Sequence, residues 1–424
     1  MFYLAVAERD TFADMGENDT AMEETDNAVI EEIDNHRQPV YTLRQLIAYF
    51  FTLGYSGFGG PVALVGYMHR DLVEKRKWVT EEEYKEGLAL AQLAPGPLAA
   101  QLGIYLGFVH YRYLGATLAG LAFILPSFCM VVGLGIAYKL FGGLPWMRAV
   151  FYGVGAAVIG IVAMSAYKLT IKSVSKLDWK AIQSHWLLWI FYLAGLVVTV
   201  LTQSEEVLLF ILAGLVYMVV KAPPRWMKMD KSPVFLFLFA GSGFWDYEPG
   251  ILSRIGLFFL KAGAFVFGSG LAIVPFLHGG VVTEWHWLTE EQFVDAVAVA
   301  MITPGPVVIT VGFIGYLIGG LPGAVVASIA TFLPCYLFTV LPAPYFKKIA
   351  KNISIKAFVD GITAAVMGTL AGAVIVIAGR SIKDIPTAGI AVATLLALIY
   401  IKKLQEPLII AAAAALGLIL KLFL

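Results

Sequence analysis

Four short runs of glycine and proline interrupt apolar stretches of the chain, at residues 57–61, 95–97, 268–270 and 304–306. Proline removes a backbone donor and ends a helical turn, whereas glycine lets another group approach the backbone closely. A helix that restarts after such a break presents free N–H groups and the positive end of its dipole, which together bind anions. The breaks therefore predict an anion site, and the alternative is that they are only kinks in membrane helices.

Polar side chains stand beside these breaks. Each could donate a hydrogen bond to an oxyanion, and each could equally tie neighbouring helices together. The candidate site residues are these polar side chains together with residues of the breaks themselves. In the first half of the chain they are Ser56, Phe58, Gly59, Gly60, Pro61, Gln92, Pro95, Gly96, Pro97 and Gln101. In the second half they are Lys261, Gly268, Ser269, Gly270, Thr303, Pro304, Gly305 and Pro306.

Three charged residues stand within apolar stretches, where an ionised side chain is costly and therefore marks a functional site by default. Lys261 precedes the break at 268–270 by about two helical turns and is predicted to contact the anion. Its alternative role is to snorkel to the membrane interface. Asp360 and Asp295 are candidates for proton coupling, with a helix-end or interfacial role as the alternative for each.

The composition excludes several classes of protein. The chain has 424 residues, 59% of them hydrophobic and 14% charged, with a mean hydropathy of +0.79. A soluble domain is about 45–50% apolar and about 25% charged, so a soluble enzyme, a disordered protein and a nucleic-acid binder are excluded. Residues 1–40 carry eleven acidic and two basic residues, and we predict that they form a disordered acidic tail.

The sequence contains no constellation for catalysis, metal binding or nucleotide binding. Its six histidines never fall at the HExxH spacing, and Cys129 and Cys335 both lie in apolar runs. The GxxxxGK[ST] motif is absent. We therefore expect neither an enzyme nor an ATP-driven pump, and neither a metal site nor a cofactor.

The two halves of the chain are copies of one another. At an offset of 209, Trp78 recurs as Trp287, and nine of the 20 residues at 78–97 are identical to their copies. After a one-residue slip the offset becomes 208. Many secondary transporters are built from such repeats, with the site at paired breaks. The predicted division is a tail at 1–40, a first repeat at 41–222, a linker at 223–250 and a second repeat at 251–424.

Apolar stretches long enough to cross a bilayer follow one another along both repeats. In the first repeat they are 115–138, 148–167, 186–202 and 207–220, and in the second 322–341, 357–378, 386–401 and 406–424. Each repeat also opens with a glycine-interrupted stretch, 43–66 or 252–277. The weaker elements 80–110 and 289–318 are predicted to be re-entrant hairpins with the Pro-Gly-Pro at the tip.

Basic residues indicate that the repeats are inverted. The loop at 68–79 has four Lys or Arg and its copy at 277–288 has none, and cytoplasmic loops carry the excess of these residues. If the opening stretch is a span, each repeat has about five spans plus one re-entrant hairpin, and the odd number inverts the second copy. The predicted fold class is an all-α polytopic membrane protein with two homologous, inverted repeats. A re-entrant opening stretch would remove the odd count, and this alternative stays open.

These residues resemble the chromate ion transporter family in its long two-domain form, over residues 43–378. In the first repeat the matching motifs are Gly54, 58–61, Glu74, Arg76, Trp78, 92–97, Gln101, Gly107 and 123–127. In the second repeat they are 267–270, Pro275, Trp287, 304–306, Gly315 and 333–334. The second copy departs from the first at Ser269 and Gly270 and at 301–303.

The resemblance implies a multi-pass transporter of the prokaryotic inner (plasma) membrane that exports chromate and so gives chromate resistance. It would be driven by the electrochemical gradient, as in antiport with another ion, and sulfate is a similar oxyanion that it would not easily reject. The alternatives are an uptake permease for sulfate or another anion, and an anion channel. The expected partners are the lipid bilayer and the oxyanion; a homodimer is left open, and nucleic acid is excluded.

Overall fold

A computed structural model describes residues 40–142, 144–175, 178–203, 206–223, 250–266, 270–346, 352–382, 384–401 and 406–423. The predicted acidic tail, most of the predicted linker, and the break residues Gly268 and Ser269 lie outside the described residues. From Leu43 onward the described residues belong to one compact unit, and all of their regular elements are helical.

The helices follow the same order in both repeats. In the first repeat they are α1 (Leu43–Ser56), α2 (Gly60–Met68), a π-helical turn (His69–Lys75), α3 (Glu81–Leu93), α4 (Leu98–Phe141), α5 (Pro145–Ser173), α6 (Trp179–Ser184), α7 (Trp186–Thr202) and α8 (Val207–Lys221). In the second they are α9 (Ile251–Ala264), a 3₁₀ turn (Gly270–Ile273), α10 (Val274–His278), a π-helical turn (Gly279–Glu284), α11 (Glu290–Ile302), a 3₁₀ turn (Val307–Ile309), α12 (Thr310–Val340), a 3₁₀ turn (Ala343–Tyr345), α13 (Ile353–Ser381), α14 (Ile385–Tyr400) and α15 (Glu406–Phe423).

Capping boxes fix where α3 and α11 begin. The Thr80 hydroxyl accepts a hydrogen bond from the Glu83 amide, and the Glu83 carboxylate accepts one from the Thr80 amide at 2.8 Å. Thr289 and Gln292 make the same reciprocal pair at the start of α11. Each box satisfies donors that a helix start otherwise leaves open.

The long helices α4 and α12 each fold back on themselves, at Arg112 in α4 and at Gly320 in α12, where Gly319 is non-helical as well. Arg112 has φ 52° and ψ −143°, and Gly320 has φ 63° and ψ −154°, both far from helical values. Each turn leaves a short arm and a long arm: 98–111 and 113–141 in α4, and 310–319 and 321–340 in α12.

Glycine allows the two arms of each helix to lie side by side. A methyl group on Gly107, in the short arm of α4, would be 2.4 Å from the Gly115 carbonyl oxygen in the long arm. Gly315 has the same relation to Gly323 in α12, also at 2.4 Å. Both distances are far below van der Waals contact, so only a residue without a side chain fits at these positions.

The short arm of α4 also packs antiparallel to α3. The start of α3 lies beside the end of the short arm, since His110 Nε2 is 3.5 Å from a Glu83 carboxylate oxygen. One turn further in, the Tyr105 hydroxyl donates to Glu86 at 3.3 Å. Residues 81–111 therefore form a helical hairpin with the Pro-Gly-Pro at its tip, as the sequence predicts.

The opening stretch of each repeat is also a hairpin. Gly59 has φ 102° at the break between α1 and α2, and the chain returns so that the Arg76 guanidinium lies 5.1 Å from the Tyr49 ring centroid. In the second repeat the ring of Phe258, the copy of Tyr49, lies 5.8 Å from the ring of Trp287, the copy of Trp78.

This folding back corresponds to the alternative in which the opening stretch is re-entrant, and the number of spans in each repeat stays a prediction. At about 1.5 Å per residue, the 14 residues of α1 extend only about 21 Å, less than the roughly 30 Å of a hydrocarbon core. The left-handed glycines at the break then turn the chain back, whereas hydropathy alone made 43–66 one crossing.

The later helices of each repeat pack on the other repeat. Helix α5 packs against α14 and α15, and α13 packs in the same way against α7 and α8. A methyl group on Gly153 of α5 would lie 2.0 Å from the Ala413 carbonyl oxygen, and one on its copy Gly361 would lie 2.6 Å from that of Ala213. Equivalent glycines thus make equivalent contacts across the repeats.

The long arms of α4 and α12, which are copies of each other, run antiparallel. The Thr117 hydroxyl, near the start of the first arm, is 2.8 Å from the Tyr336 hydroxyl near the end of the second. Toward the other end of the first arm, a methyl group on Gly135 would be 2.8 Å from the Tyr316 ring. Tyr316 adjoins Gly315, which packs on Gly323 at the start of the second arm.

Among the described residues, four helical stretches are long and apolar enough to cross a membrane: 98–141, 145–173, 307–345 and 353–381. Shorter apolar helices surround them, among them α7, α8 and α14. The predicted all-α class is confirmed at this level.

Candidate functional site

Two hydrogen bonds join the breaks of one repeat to those of the other. The amide of Gly96, in the first Pro-Gly-Pro, donates to the carbonyl oxygen of Val266 at 2.5 Å. The amide of Gly305, in the second Pro-Gly-Pro, donates to the carbonyl oxygen of Gly57 at 2.9 Å. Gly96 and Gly305 are copies, as are Gly57 and Val266, so the two bonds are reciprocal. The structure thus brings both Pro-Gly-Pro turns to the interface between the repeats.

Residue 127 and its copy 335 support these turns from the neighbouring long arm. The buried Ser127 hydroxyl lies 2.8 Å from the carbonyl oxygen of Pro304 and 3.1 Å from that of Gly54. The buried Cys335 thiol faces the first turn, where a methyl group on Gly96 would be 3.1 Å from its sulfur. Each of these side chains belongs to the repeat opposite to the turn that it contacts. The two amide hydrogen bonds likewise join one repeat to the other.

The backbone at the breaks is left-handed at several glycines. The φ angles are 72° at Gly60, 150° at Gly96 and 96° at Gly305. A side chain at Gly305 would also collide with Ser127, because its Cβ would lie 2.0 Å from the hydroxyl oxygen. At these positions glycine is required for conformation, and at Gly305 also for space.

Within the described parts of the chain, no side chain caps the helix starts at Gly59 and Pro97 or the start of the 3₁₀ turn at Pro306. The first amides of a helix have no partner within it, so these starts direct open donors and a partial positive charge at the breaks. The capped starts at Thr80 and Thr289 contrast with them. This arrangement can bind an anion through backbone donors alone.

Gln101 is the polar side chain most closely associated with the first Pro-Gly-Pro. It is fully buried, and its amide nitrogen donates to the Pro95 carbonyl oxygen at 3.0 Å. Its Oε1 atom is buried and has no hydrogen-bond partner among the residues that the structure describes. In the second repeat, the buried hydroxyls of Thr303 and Thr310 bond to carbonyl oxygens of their own helical turns, those of Val299 and Val307.

Other predicted site residues lie further from this interface or toward the surface. Ser56 is exposed and donates to the Thr52 carbonyl oxygen, while Phe58 and Gln92 are exposed as well. Lys261 is exposed on α9, with its ammonium 5.8 Å from the Phe276 ring centroid. Pro61 is half-buried. By contrast, Pro97, Pro304 and Pro306 belong to the turns at the interface and are buried, as is Gly270.

The two predicted coupling carboxylates lie away from the paired breaks. Asp295 is buried in α11 and accepts a hydrogen bond from the Tyr138 hydroxyl of the other repeat at 2.7 Å. Asp360 is half-buried in α13, where Lys356 and Tyr217 are its electrostatic neighbours. The two carboxylates therefore belong to different parts of the fold.

Sequence reasoning missed a histidine–glutamate pair that occurs in both repeats. His69 Nε2 is 2.9 Å from Glu81, and His278 Nε2 is 2.8 Å from Glu290, with the offset of 209 preserved. Hydrogen bonds from His69 and Lys85 hold the pKa of the Glu81 carboxyl below its usual value. The offset of 209 shared by the two pairs was the sequence signal from which they could have been found. His69 begins the first π-helical turn and His278 directly precedes the second, so each pair ties this part of its repeat to the hairpin that follows.

Among the described residues, no group of three or more His, Cys, Asp or Glu side chains could hold a metal ion. The described groups at the breaks are backbone amides, the hydroxyls of Ser127 and Thr303, the buried side-chain amide of Gln101 and the Cys335 thiol.

The family model described as "Chromate transporter" matches residues 44–219 and 253–418, one match for each repeat. The chain belongs to the chromate transporter family. This confirms the resemblance noted in the motifs. Together with the apolar helices, it identifies a helical membrane protein with two repeats.

Relatives in this transporter family match nearly the whole chain. The Chromate transport protein of Cupriavidus metallidurans is 65% identical over 91% of this chain and 94% of its own. The Probable chromate transport protein of Synechococcus elongatus is 58% identical over 91% of this chain and 97% of its own. The Chromate transport protein of Pseudomonas aeruginosa is 30% identical over 89% and 92% respectively. No solved structure matches the chain.

Proposed function

We propose that the protein is a secondary transporter that carries chromate out of the cytoplasm. The observation that carries the proposal is the reciprocal bonding of Gly96 to Val266 and of Gly305 to Gly57. This bonding brings helix starts without side-chain caps to the interface between the repeats. The amides of these helix starts can donate hydrogen bonds to a tetrahedral dianion. Relatives named chromate transport protein support chromate as the anion, and sulfate has the same shape and charge.

The membrane potential favours export. Moving one charge through 100 mV is worth about 2.3 kcal/mol, so a dianion leaving an inside-negative cell gains roughly twice that per 100 mV. Coupling to protons through Asp360 or Asp295 would add to this driving force. We place the protein in the prokaryotic inner membrane as a multi-pass protein, where export lowers cytoplasmic chromate and gives resistance.

We also propose that the two repeats are inverted in the membrane. The opening hairpins remove the odd span count as an argument, and the packing of equivalent helices carries the proposal instead. Support comes from the long arms of α4 and α12, which are copies of each other and pack antiparallel through Thr117 and Tyr336. Two copies with the same orientation would bring equivalent helices together in parallel. The contrast in basic residues between the loops at 68–79 and 277–288 supports the same arrangement.

The proposed division of the chain keeps the boundaries expected from the sequence. The tail ends at residue 40, the repeats occupy 41–222 and 251–424, and the linker occupies 223–250. The proposed substrate site is formed by the breaks of both repeats, and a homodimer remains compatible with it.

Chromate accumulation in expressing cells tests the direction of transport. Cells with the wild-type protein should accumulate less chromate than cells with a Gly305→Ala variant expressed to the same level. Greater accumulation would overturn export and indicate an uptake permease. In liposomes, chromate flux should saturate and respond to a proton gradient, whereas flux that does neither would indicate an anion channel.

A further inference from the structure

A cleft of about 340 Å³ runs along α1 in the first repeat. Gln45, Thr52 and Ser56 line it from α1, and Arg76 and Trp78 line it from the loop after the π-helical turn. Gln45 and Ser56 are eleven residues apart on one helix, so the cleft extends about 16 Å. That is about half of a hydrocarbon core, and Ser56 immediately precedes the break at Gly57. The cleft therefore leads from the base of the opening hairpin to the break at its tip.

Arg76 is held in this cleft by two aromatic rings. Its guanidinium carbon is 5.1 Å from the ring centroid of Tyr49 and 4.6 Å from that of Trp78. The Arg76 amide bonds to the Asp71 carbonyl oxygen, and the left-handed backbone at Lys77 (φ 53°) turns Trp78 back onto the guanidinium. Stacking of this kind restrains an arginine while leaving the edge of its planar fork open.

The charge of Arg76 is not neutralised by the carboxylate beside it. Asp71 also lines the cleft, but its carboxylate is paired with Arg70 at 3.1 Å and with Lys75 at 3.5 Å. Within the part of the chain that the structure describes, no carboxylate oxygen lies within 4.0 Å of the Arg76 guanidinium. The donors of Arg76 are therefore open to an anion that enters the cleft.

The second repeat holds an arginine in the corresponding place, although it comes from the other side of the hairpin. Arg254 of α9 stacks over Trp285, with 5.7 Å between the guanidinium carbon and the ring centroid. Residue 254 is the copy of Gln45 and residue 285 is the copy of Arg76, so helix and loop have exchanged the arginine. In an alignment of the repeats, each arginine stands opposite an uncharged residue. In the structure, Arg76 and Arg254 occupy equivalent places in their own repeats.

We propose that Arg76 and Arg254 are two equivalent binding sites for the transported oxyanion, each at the base of an opening hairpin. A guanidinium fork offers two parallel donors to a tetrahedral oxyanion, which an ammonium does not. Because the repeats pack with equivalent helices antiparallel, the two arginines lie at opposite ends of the path through the breaks. Each receives the anion on one face of the membrane. This inference rests on the proposed transport of an oxyanion.

Calorimetry with sodium chromate and sodium sulfate tests the inference on the purified full-length protein. Losing a hydrogen bond to a charged group typically weakens binding by about tenfold or more, so Arg76→Gln and Arg254→Gln should each show this loss. Arg76→Lys should recover only part of it, since the charge returns without the fork. Arg148→Gln is the control and should bind like wild type, because Arg148 is an exposed arginine of α5 that does not line the cleft.

Flux from each face of oriented proteoliposomes gives a readout that a structural role would not change. Arg76→Gln should raise the half-saturating chromate concentration on one face about tenfold, and Arg254→Gln should do so on the other. Binding and half-saturation within twofold of wild type in both variants would overturn this inference alone, and so would equal effects on both faces. Absence of chromate and sulfate binding to the wild-type protein would overturn the proposed function together with it.

Discussion

The Ser127 hydroxyl lies 2.8 Å from the Pro304 carbonyl oxygen, and through this bond a helix of the first repeat supports the Pro-Gly-Pro turn of the second. The same hydroxyl is 3.1 Å from the carbonyl oxygen of Gly54. One buried side chain therefore joins α1 and α4 of the first repeat to the break of the second. Its copy, Cys335, occupies the equivalent place beside Gly96.

Ser127→Ala should destabilise the protein and reduce chromate flux. The change leaves buried carbonyl oxygens without their donor, which costs about 1–3 kcal/mol. Thermal unfolding in detergent and flux in liposomes measure the two effects. Cys335→Ala is the matched control at the copy position and should be milder, because no hydrogen bond of that thiol is found among the described residues. Equal effects of the two changes would contradict the prediction.

Alanine at Gly305 should abolish flux, because the methyl group would collide with the Ser127 oxygen and φ is 96°. Gly96→Ala should impair flux for similar reasons. Gly60→Ala has open space around it but a φ of 72°, which costs about 1–2 kcal/mol, so a partial loss is expected. Gly66→Ala in α2 is the control, since among the described residues no atom beyond the local helix backbone lies within 4 Å of the added carbon. Normal flux in both Gly305→Ala and Gly96→Ala would show that the breaks are only kinks in the helices and do not form the anion site.

Lys261→Ala should lower flux while leaving the folded protein intact. The ammonium stands on α9 above Phe276, on the helix that leads to the second break. Lys421→Ala provides a matched control, because Lys421 also lies over an aromatic ring, at 4.8 Å from Tyr152, but belongs to α15. Wild-type flux in Lys261→Ala, with normal elution on gel filtration, would remove this lysine from the site.

Asp360→Asn should make chromate flux insensitive to a pH gradient if this carboxylate carries the coupled proton. Asp295→Asn tests the second candidate in the same assay, with Tyr138→Phe as its control. The phenylalanine removes the hydrogen bond to Asp295 but keeps the carboxylate. Retention of the pH-gradient response in both asparagine variants would exclude both residues from proton coupling.

Cysteines placed at positions 75 and 284 should be labelled from opposite faces of the membrane. Lys75 and Glu284 are copies at an offset of 209, and each ends its π-helical turn. The experiment needs a background in which Cys129 and Cys335 are replaced by alanine. Labelling of both positions from the same face by an impermeant reagent would contradict the inverted arrangement.

The breaks, the duplication and the hairpin at 81–111 could all be read from the sequence. Each is written in local patterns: glycine and proline in an apolar run, a constant offset of 209, and a polar start such as Thr80. The α1 hairpin was harder to predict. Its turn depends on left-handed backbone at Gly59 and Gly60, and hydropathy does not distinguish such a turn from a kink inside one span.

The relation between the breaks could not be predicted, because it joins residues far apart in sequence. Nothing local to Gly305 indicates that its amide bonds to Gly57, or that Ser127 lies against Pro304. The equivalence of Arg76 and Arg254 could not be predicted for a related reason. The two repeats preserve a position in space there rather than a position in the alignment.

The packing of α5 on α14 and α15, and of α13 on α7 and α8, has a consequence for how such a chain arises. A polypeptide with a single copy of the repeat would leave the surface of its long fifth helix uncovered. A second molecule would have to supply the missing partners, so a single copy of the repeat would be complete only as a pair of chains. Joining both copies in one chain lets equivalent positions differ, as Ser127 and Cys335 do.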